Sequence, residues 1–67
     1  MSVGDIVYWT PRVFDTDIND YKLGDDRHGT VVKLHSVQQN KYRIWYVLVH
    51  HTGKIGVFHE PVLTKLT

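Results

Sequence analysis

The acidic residues after position 14 are the first candidates for chemistry in this chain. The segment 15–20, DTDIND, places oxygen-bearing side chains at alternate positions, a spacing typical of calcium-binding loops. The rest of such a loop is missing, because Asp20 stands where the sharp-turn glycine is required and Asp26 where a bidentate glutamate is required. We therefore interpret residues 15–26 as a solvated acidic loop.

A second metal hypothesis concerns three histidines, His50, His51 and His59. Neighbouring residues of a strand point to opposite faces, so His50 and His51 cannot hold one ion without a bulge. The spacing indicates no third ligand. The chain also contains no cysteine, which excludes disulfides and thiolate-bound metals. We expect no metal and no cofactor.

Nucleophilic catalysis has few candidate residues. Ser2 and Ser36 are the serines of the chain, and neither lies in a nucleophile motif. No glycine-rich phosphate-binding loop is present. We therefore expect a protein that is not an enzyme and has no small-molecule substrate.

The charge is distributed unevenly along the sequence. Residues 1–28 carry six Asp against three basic residues, a balance of −3, whereas residues 29–67 carry five basic residues against one Glu, a balance of +4. Cations beside an aromatic ring are typical of surfaces that follow a phosphate backbone. The basic half offers such a set, formed by Lys33, Tyr42, Arg43 and Lys54. Nucleic-acid binding is therefore the alternative to protein interaction.

A β-hairpin is the clearest element that would position these side chains. The apolar run that begins at Tyr42 predicts a long strand, and Thr52-Gly53 predicts a tight turn into a second strand. A two-residue turn pairs Leu48 with Val57, whereas a three-residue turn with a bulge pairs Leu48 with Phe58. The two alternatives stay open, because a one-residue slip exchanges the two faces of a strand.

The predicted strand is apolar on both faces between Ile44 and Val49. A strand of a one-sided sheet normally alternates apolar and polar residues, so both faces should be covered. One explanation is that a long loop, residues 10–28, folds over the outer face. The other is that the outer face, including Trp45, binds a partner or another copy of the chain.

The remaining segments predict short strands. Residues 6–9 form a β-prone run that ends before Pro11, and residues 30–35 form a second such run. Residues 36–41, SVQQNK, are a polar connection. With 67 residues we expect one domain, 1–67. No apolar stretch approaches the roughly 20 residues of a membrane span, so we expect a cytoplasmic protein with no membrane partner.

Four motifs follow one another along the chain: Gly4-Asp5-x-Val7, Gly29-Thr30-Val31-Val32, Val47-x-Val49-x-x-x-Gly53-x-x-Gly56-Val57-Phe58 and Val62-Leu63-x-x-Leu66. Together they resemble the SH3-like small β-barrel superfamily, in particular its Tudor- and KOW-type barrels and small barrels encoded by tailed phages. The resemblance implies an all-β, single SH3-like barrel of about five antiparallel strands. It also implies a long first loop at 10–28 and a short 3-10 turn before the last strand.

The resemblance further implies a ligand surface formed by the first loop, the SVQQNK loop and the hairpin tip. Tudor-type members use an aromatic cage that binds a cation over its rings. The candidates for such a cage are Tyr8, Tyr21, Tyr42 and Tyr46.

We expect a non-enzymatic protein-interaction or assembly module, since this fold serves many unrelated roles and no catalytic motif is present. The resemblance to phage barrels implies an accessory or structural protein of a phage or bacterium, located in the cytoplasm, or in the virion or host cytoplasm if phage-encoded. A protein partner or self-association is expected. The predicted partner-binding residues are Phe14, Asp17, Tyr21, Trp45, His50, His51 and Lys54. The alternative is a nucleic-acid-binding KOW- or Tudor-type barrel that uses Lys33, Tyr42, Arg43 and Lys54.

Overall fold

The computed structural model describes residues 1–66, and these residues are mainly β-strands. The elements in chain order are β1 (Ile6–Trp9), β2 (Arg12–Asp15), β3 (Asp20–Leu23), β4 (Arg27–Gln38), β5 (Tyr42–Val49), β6 (Ile55–His59), a 3-10 turn (Glu60–Val62) and β7 (Thr64–Lys65). The all-β prediction is confirmed, and so is the 3-10 turn before the last strand. Across residues 1–66, no helix has the length and apolarity needed to cross a bilayer.

Five of the strands form the main sheet, in the order β6-β5-β4-β1-β7. Every neighbouring pair in this sheet is antiparallel. Strands β2 and β3 form a separate two-stranded sheet. Within the described residues β6 and β7 lie at the two edges of the main sheet, so the sheet does not close into a barrel. The prediction of about five strands is therefore incomplete: the chain has two sheets rather than one barrel.

The main sheet is strongly bent by its central strand. β4 is 12 residues long and its pairing with β5 shifts register between Val31 and Lys33 and again between Leu34 and Ser36. Such bulges bend a strand and increase its twist. The ring centroids of Trp9 in β1 and Phe58 in β6 lie 4.5 Å apart. In a flat sheet three strand spacings, about 14 Å, would separate their strands, so the sheet must curl over its inner face.

The hydrophobic core occupies the concave side of this bend. Its buried side chains are Val7, Val31, Trp45, Val47 and Leu63, and the partly buried Met1, Trp9 and Phe58 pack against them. Gly29 allows β4 and β5 to approach closely at the edge of this core. A Cβ atom at position 29 would lie 2.5 Å from Val47 Cγ1 and 2.8 Å from the Leu48 carbonyl oxygen.

The segment predicted as a long loop is instead a β-hairpin, residues 12–23, which we call the arm. β2 and β3 pair from Arg12–Leu23 to Asp15–Asp20, and residues 16–19 form the turn. The Gly24 N–H donates to the Pro11 carbonyl at 2.8 Å and closes the base of the arm. The backbone groups that β2 and β3 turn toward each other pair within the hairpin, so this pairing does not involve the main sheet.

The arm does not cover the outer face of β5, so that expectation is wrong. The outer-face side chains Leu48, Ile55 and Val57 are 38%, 60% and 52% exposed. The radius of gyration, 13.1 Å, exceeds the roughly 11 Å of a compact domain of this length. The arm therefore extends the molecule instead of thickening it.

The β5–β6 hairpin has neither of the two predicted registers. Leu48 pairs with Ile55, and residues 50–53 form a four-residue turn. The Val49 N–H donates to the Lys54 carbonyl and the Gly53 N–H to the Val49 carbonyl, both at 2.8 Å. Relative to a two-residue turn the register moves by two positions. Such a shift leaves each side chain on its face, because the strand period is two.

Candidate interaction surfaces

One face of the arm carries its aromatic residues. Phe14 lies directly opposite Tyr21, and Arg12 lies opposite Leu23 on the same side of the hairpin. The Phe14 and Tyr21 rings pack edge to face with centroids 5.3 Å apart. Phe14, Tyr21 and Leu23 are 51%, 64% and 67% exposed. We call these four residues the aromatic face of the arm.

The opposite face of the arm carries charged side chains beside Val13. Lys22 Nζ lies 2.9 Å from Asp15 Oδ2, and the Asp17 N–H donates to Asp15 Oδ1 at 2.9 Å. Lys22 first, and then the backbone N–H of Asp17, hold the pKa of Asp15 below its usual value. Asp15 also lies opposite Asp20. Lys22 therefore relieves a like-charge pair beside the tight turn of the arm.

The β5–β6 turn lies at the end of the main sheet from which the arm starts. Trp9 pairs with Arg27 at this end. The His50 N–H donates to the His28 carbonyl at 3.0 Å, and His50 Nε2 lies 2.8 Å from Thr30 Oγ1. The structure thus groups six of the seven predicted partner-binding residues into two sets at this end. Phe14, Asp17 and Tyr21 belong to the arm, and His50, His51 and Lys54 belong to the turn or its border.

Trp45 does not lie on the outer face, which corrects its predicted placement. Its side chain is 5% exposed and belongs to the core. The indole Nε1 donates to Glu60 Oε1 at 2.9 Å, which ties β5 to the 3-10 turn. The bend in β4 puts Trp45 on the concave side of the sheet, so no indole surface is left for a partner.

The residues predicted for nucleic-acid binding lie at separated places. Tyr42 and Arg43 lie at the start of β5. Lys33 lies on β4 opposite Tyr46, in the middle of β5, and Lys54 lies beyond the far end of β5. The path along β5 from Arg43 to the Lys54 level spans six residues, about 20 Å. Arg43 also shares a shallow groove with the Glu60 carboxylate. These cations do not form one continuous stripe.

The four tyrosines proposed for an aromatic cage lie in four different ring pairs. The pairs are Tyr8–His28 at 6.2 Å, Phe14–Tyr21 at 5.3 Å, His35–Tyr46 at 5.0 Å and Tyr42–His59 at 5.2 Å between centroids. No two tyrosines share a pair. Over the described part of the chain, no three His, Cys, Asp or Glu side chains come close enough together to hold a metal ion.

Two features of these surfaces were missed by the sequence reasoning. The first is that Arg12 and Leu23 complete the aromatic face. The sequence contains a signal for it, because two pairs of residues with a spacing of two, Arg12 with Phe14 and Tyr21 with Leu23, flank an Asp- and Asn-rich turn. The free edge of β6 gave no such signal, because pairing partners follow from the tertiary topology.

Comparisons with protein-family models, curated protein sequences and solved structures yield no match for this chain.

Proposed function

We propose that the protein is a non-enzymatic interaction module that binds a protein partner through the aromatic face of the arm. The observation that carries this proposal is the exposure of Phe14, Tyr21 and Leu23, between 51% and 67%, on a hairpin that pairs chiefly with itself. These side chains contribute little to the core of the main sheet. Contiguous exposed apolar side chains of this kind commonly mark interaction sites.

The composition of the aromatic face suits a protein interface. Aromatic residues and arginine are enriched where protein interfaces are most buried. Burial of apolar surface contributes roughly 25 cal/mol per Å². Arg12 adds a planar group that donates two parallel hydrogen bonds to a carboxylate. The partner we propose therefore offers an apolar cleft for Phe14 and Tyr21, bordered by an acidic side chain.

We include an SH3-like architecture for the main sheet, from which the arm extends, in this proposal. The supporting features are the strand order, the bent β4, the insertion after β1 and the 3-10 turn before β7. The resemblance to small phage-encoded barrels extends the proposal to an accessory or structural role in a phage or bacterium. Such a role places the protein in the cytoplasm or the virion.

Affinity capture with matched variants tests the arm. The double variant Phe14→Ser with Tyr21→Ser removes both rings, whereas the control Val13→Ser changes a residue that is 38% exposed on the other face. A partner retained by the wild type and by the control, and lost by the double variant, is then purified and titrated by calorimetry. We expect at least about a hundredfold loss of affinity, since two central aromatic side chains each contribute about 2 kcal/mol. Equal binding by all three proteins would contradict the proposal.

The nucleic-acid alternative is measured in parallel by fluorescence anisotropy with single- and double-stranded oligonucleotides. Two results together would favour that alternative: the affinity falls steeply as the salt concentration rises, and Lys54→Ala and Arg43→Ala each weaken binding. Loss of binding in the Phe14 and Tyr21 double variant at unchanged salt dependence would instead assign the contact to the arm.

A further inference from the structure

The edge formed by β6 differs from the edge formed by β7. β7 has two residues, one of which is Lys65, whose Nζ lies 3.8 Å from Asp5 Oδ2. β6 has five residues, IGVFH, with no proline and no Asp, Glu, Lys or Arg. Short length, charge and proline are the usual means by which proteins keep an edge strand from pairing. β7 has such protection and β6 does not.

The outward-pointing backbone groups of β6 follow from its pairing with β5. The Val49 N–H donates to the Lys54 carbonyl, so Val49–Lys54 is a hydrogen-bonded pair. Hydrogen-bonded pairs recur at every second position of an antiparallel ladder, so Gly56 and Phe58 also direct their backbone groups toward β5. The N–H and C=O groups of Ile55, Val57 and His59 therefore point away from the sheet.

We propose that two copies of the chain pair through their β6 edges, antiparallel, about a two-fold axis at Val57. In this register Val57 faces Val57 of the second copy, and Ile55 faces His59. These are the residues whose backbone groups point outward, so the three pairs form up to about six hydrogen bonds, two for each pair. A strand that pairs with its own copy about a two-fold axis gives a closed dimer.

Charge complementarity supports this register. The same two-fold axis places Lys54 opposite Glu60 of the second copy on both sides of the three central pairs, because both residues are three positions from Val57. Glu60 Oε1 accepts the Trp45 N–H, and a carboxylate retains further acceptor sites. A parallel arrangement in the same alignment would instead place Lys54 beside Lys54 and Glu60 beside Glu60.

The outer face adds apolar contact across the axis. Ile55 and Val57 are 60% and 52% exposed on the same face as Leu48. In the dimer the two Val57 side chains pack against each other, and each Ile55 packs against a His59 ring. One apolar surface then runs across both copies.

This interface lies apart from the aromatic face of the arm, so the inference goes beyond the proposed function. A dimer would present two arms from one continuous ten-stranded sheet, five strands from each copy. Two linked copies of a binding surface increase the affinity for a partner that carries repeated sites.

Sedimentation equilibrium over a concentration series tests the dimer. We expect a mass that rises from 7.8 kDa toward twice that value. Val57→Lys places two ammonium groups opposite each other at the axis and should weaken self-association at least about tenfold. Val32→Lys is the matched control, since Val32 is 41% exposed on β4, which β5 separates from the β6 edge. Circular dichroism confirms that both variants fold.

A charge-reversal series tests the register itself. Lys54→Glu should weaken the dimer because it faces Glu60 of the second copy. The added substitution Glu60→Gln should restore association, since it removes the repulsion and keeps an oxygen for the Trp45 N–H.

Three results would overturn the proposal. The first is a wild-type monomer at all concentrations, and the second is a Val57→Lys variant that dimerises as well as the control. The third is a dimer lost on Tyr21→Ser, which would assign self-association to the arm. A monomer that still binds a partner through the arm would overturn the dimer alone, so the two proposals fail separately.

Discussion

The inner face of the main sheet and the aromatic face of the arm both carry aromatic and aliphatic side chains, and these have opposite exposures. Trp45 in β5 is 5% exposed, whereas Tyr21 in β3 is 64% exposed. β5 has a neighbour on each side and lies in a bent sheet, so its central residues Trp45 and Val47 face a core. Among residues 1–66 the two strands of the arm pair only with each other. An aromatic residue thus stabilises the fold in a curled sheet and stays available to a partner on an isolated hairpin.

The largest expected effect comes from truncating one aromatic residue in each region. Trp45→Ala should lower the free energy of unfolding by about 3–5 kcal/mol, because it leaves a cavity in the core. Tyr21→Ala should lower it by no more than about 1 kcal/mol, since it removes an exposed ring and one aromatic pair. Urea denaturation followed by circular dichroism measures both. Equal losses would show that the arm is part of the cooperative core.

A smaller effect is expected from adding a methyl group at one glycine of each region. Gly29→Ala should destabilise the protein by about 1–3 kcal/mol, because its Cβ meets the backbone of β5 as well as Val47. At Gly24, at the base of the arm, the nearest atoms to an added Cβ are Val13 Cγ1 at 3.3 Å and the Pro11 carbonyl oxygen at 3.4 Å, both farther away than the atoms around Gly29. Gly24→Ala should therefore cost less than about 1 kcal/mol. Thermal melts of the two variants measure both losses of stability. A larger loss of stability in Gly24→Ala than in Gly29→Ala would contradict this prediction.

The smallest effect concerns acid pH and again separates the two regions. The Ser2 backbone N–H donates to Asp5 Oδ2 at 2.8 Å. This hydrogen bond is the main cause that lowers the pKa of Asp5, and the charge of Lys65 lowers it further. Lys22 is the main cause that lowers the pKa of Asp15. A carboxyl whose pKa is lowered by folding stabilises the protein above its unfolded pKa, about 3.9. That stability is lost as the pH falls through the folded pKa.

Stability should therefore decrease below about pH 4. Asp5→Asn should reduce this pH dependence in the global melt, because Asp5 joins the N-terminal turn to β7. Asp15→Asn should change hydrogen exchange of the arm amides and leave the global melt almost unchanged. A global melt that responds only to Asp15→Asn would mean that the arm limits the stability of the whole chain.

Much of the main sheet could be predicted from local sequence. The branched and aromatic run at residues 6–9 predicts β1, and Pro11 predicts its end; both are confirmed. The 3-10 turn before the last strand, which the resemblance implies, is also confirmed. The arm was missed because its period-two pattern is short and interrupted by aspartates, which are more common in loops than in strands.

The hairpin register and the position of Trp45 could not be predicted. Both depend on long-range pairing: the four-residue turn at 50–53 is held by the His50 N–H bond to the His28 carbonyl, 22 positions earlier in the chain. Sequence spacing alone does not reveal which face of a two-sided apolar strand will become concave. Two bulges in β4 decide that.

The sequence by itself determined the all-β class, the main strands and the residue types available for contact, because strand propensity and turn chemistry act over a few neighbouring residues. Only the tertiary structure decided which apolar residues are core and which are surface. That choice depends on how strands from distant parts of the chain pair and bend. The buried Trp45, the exposed aromatic face of the arm and the open edge of β6 are its results.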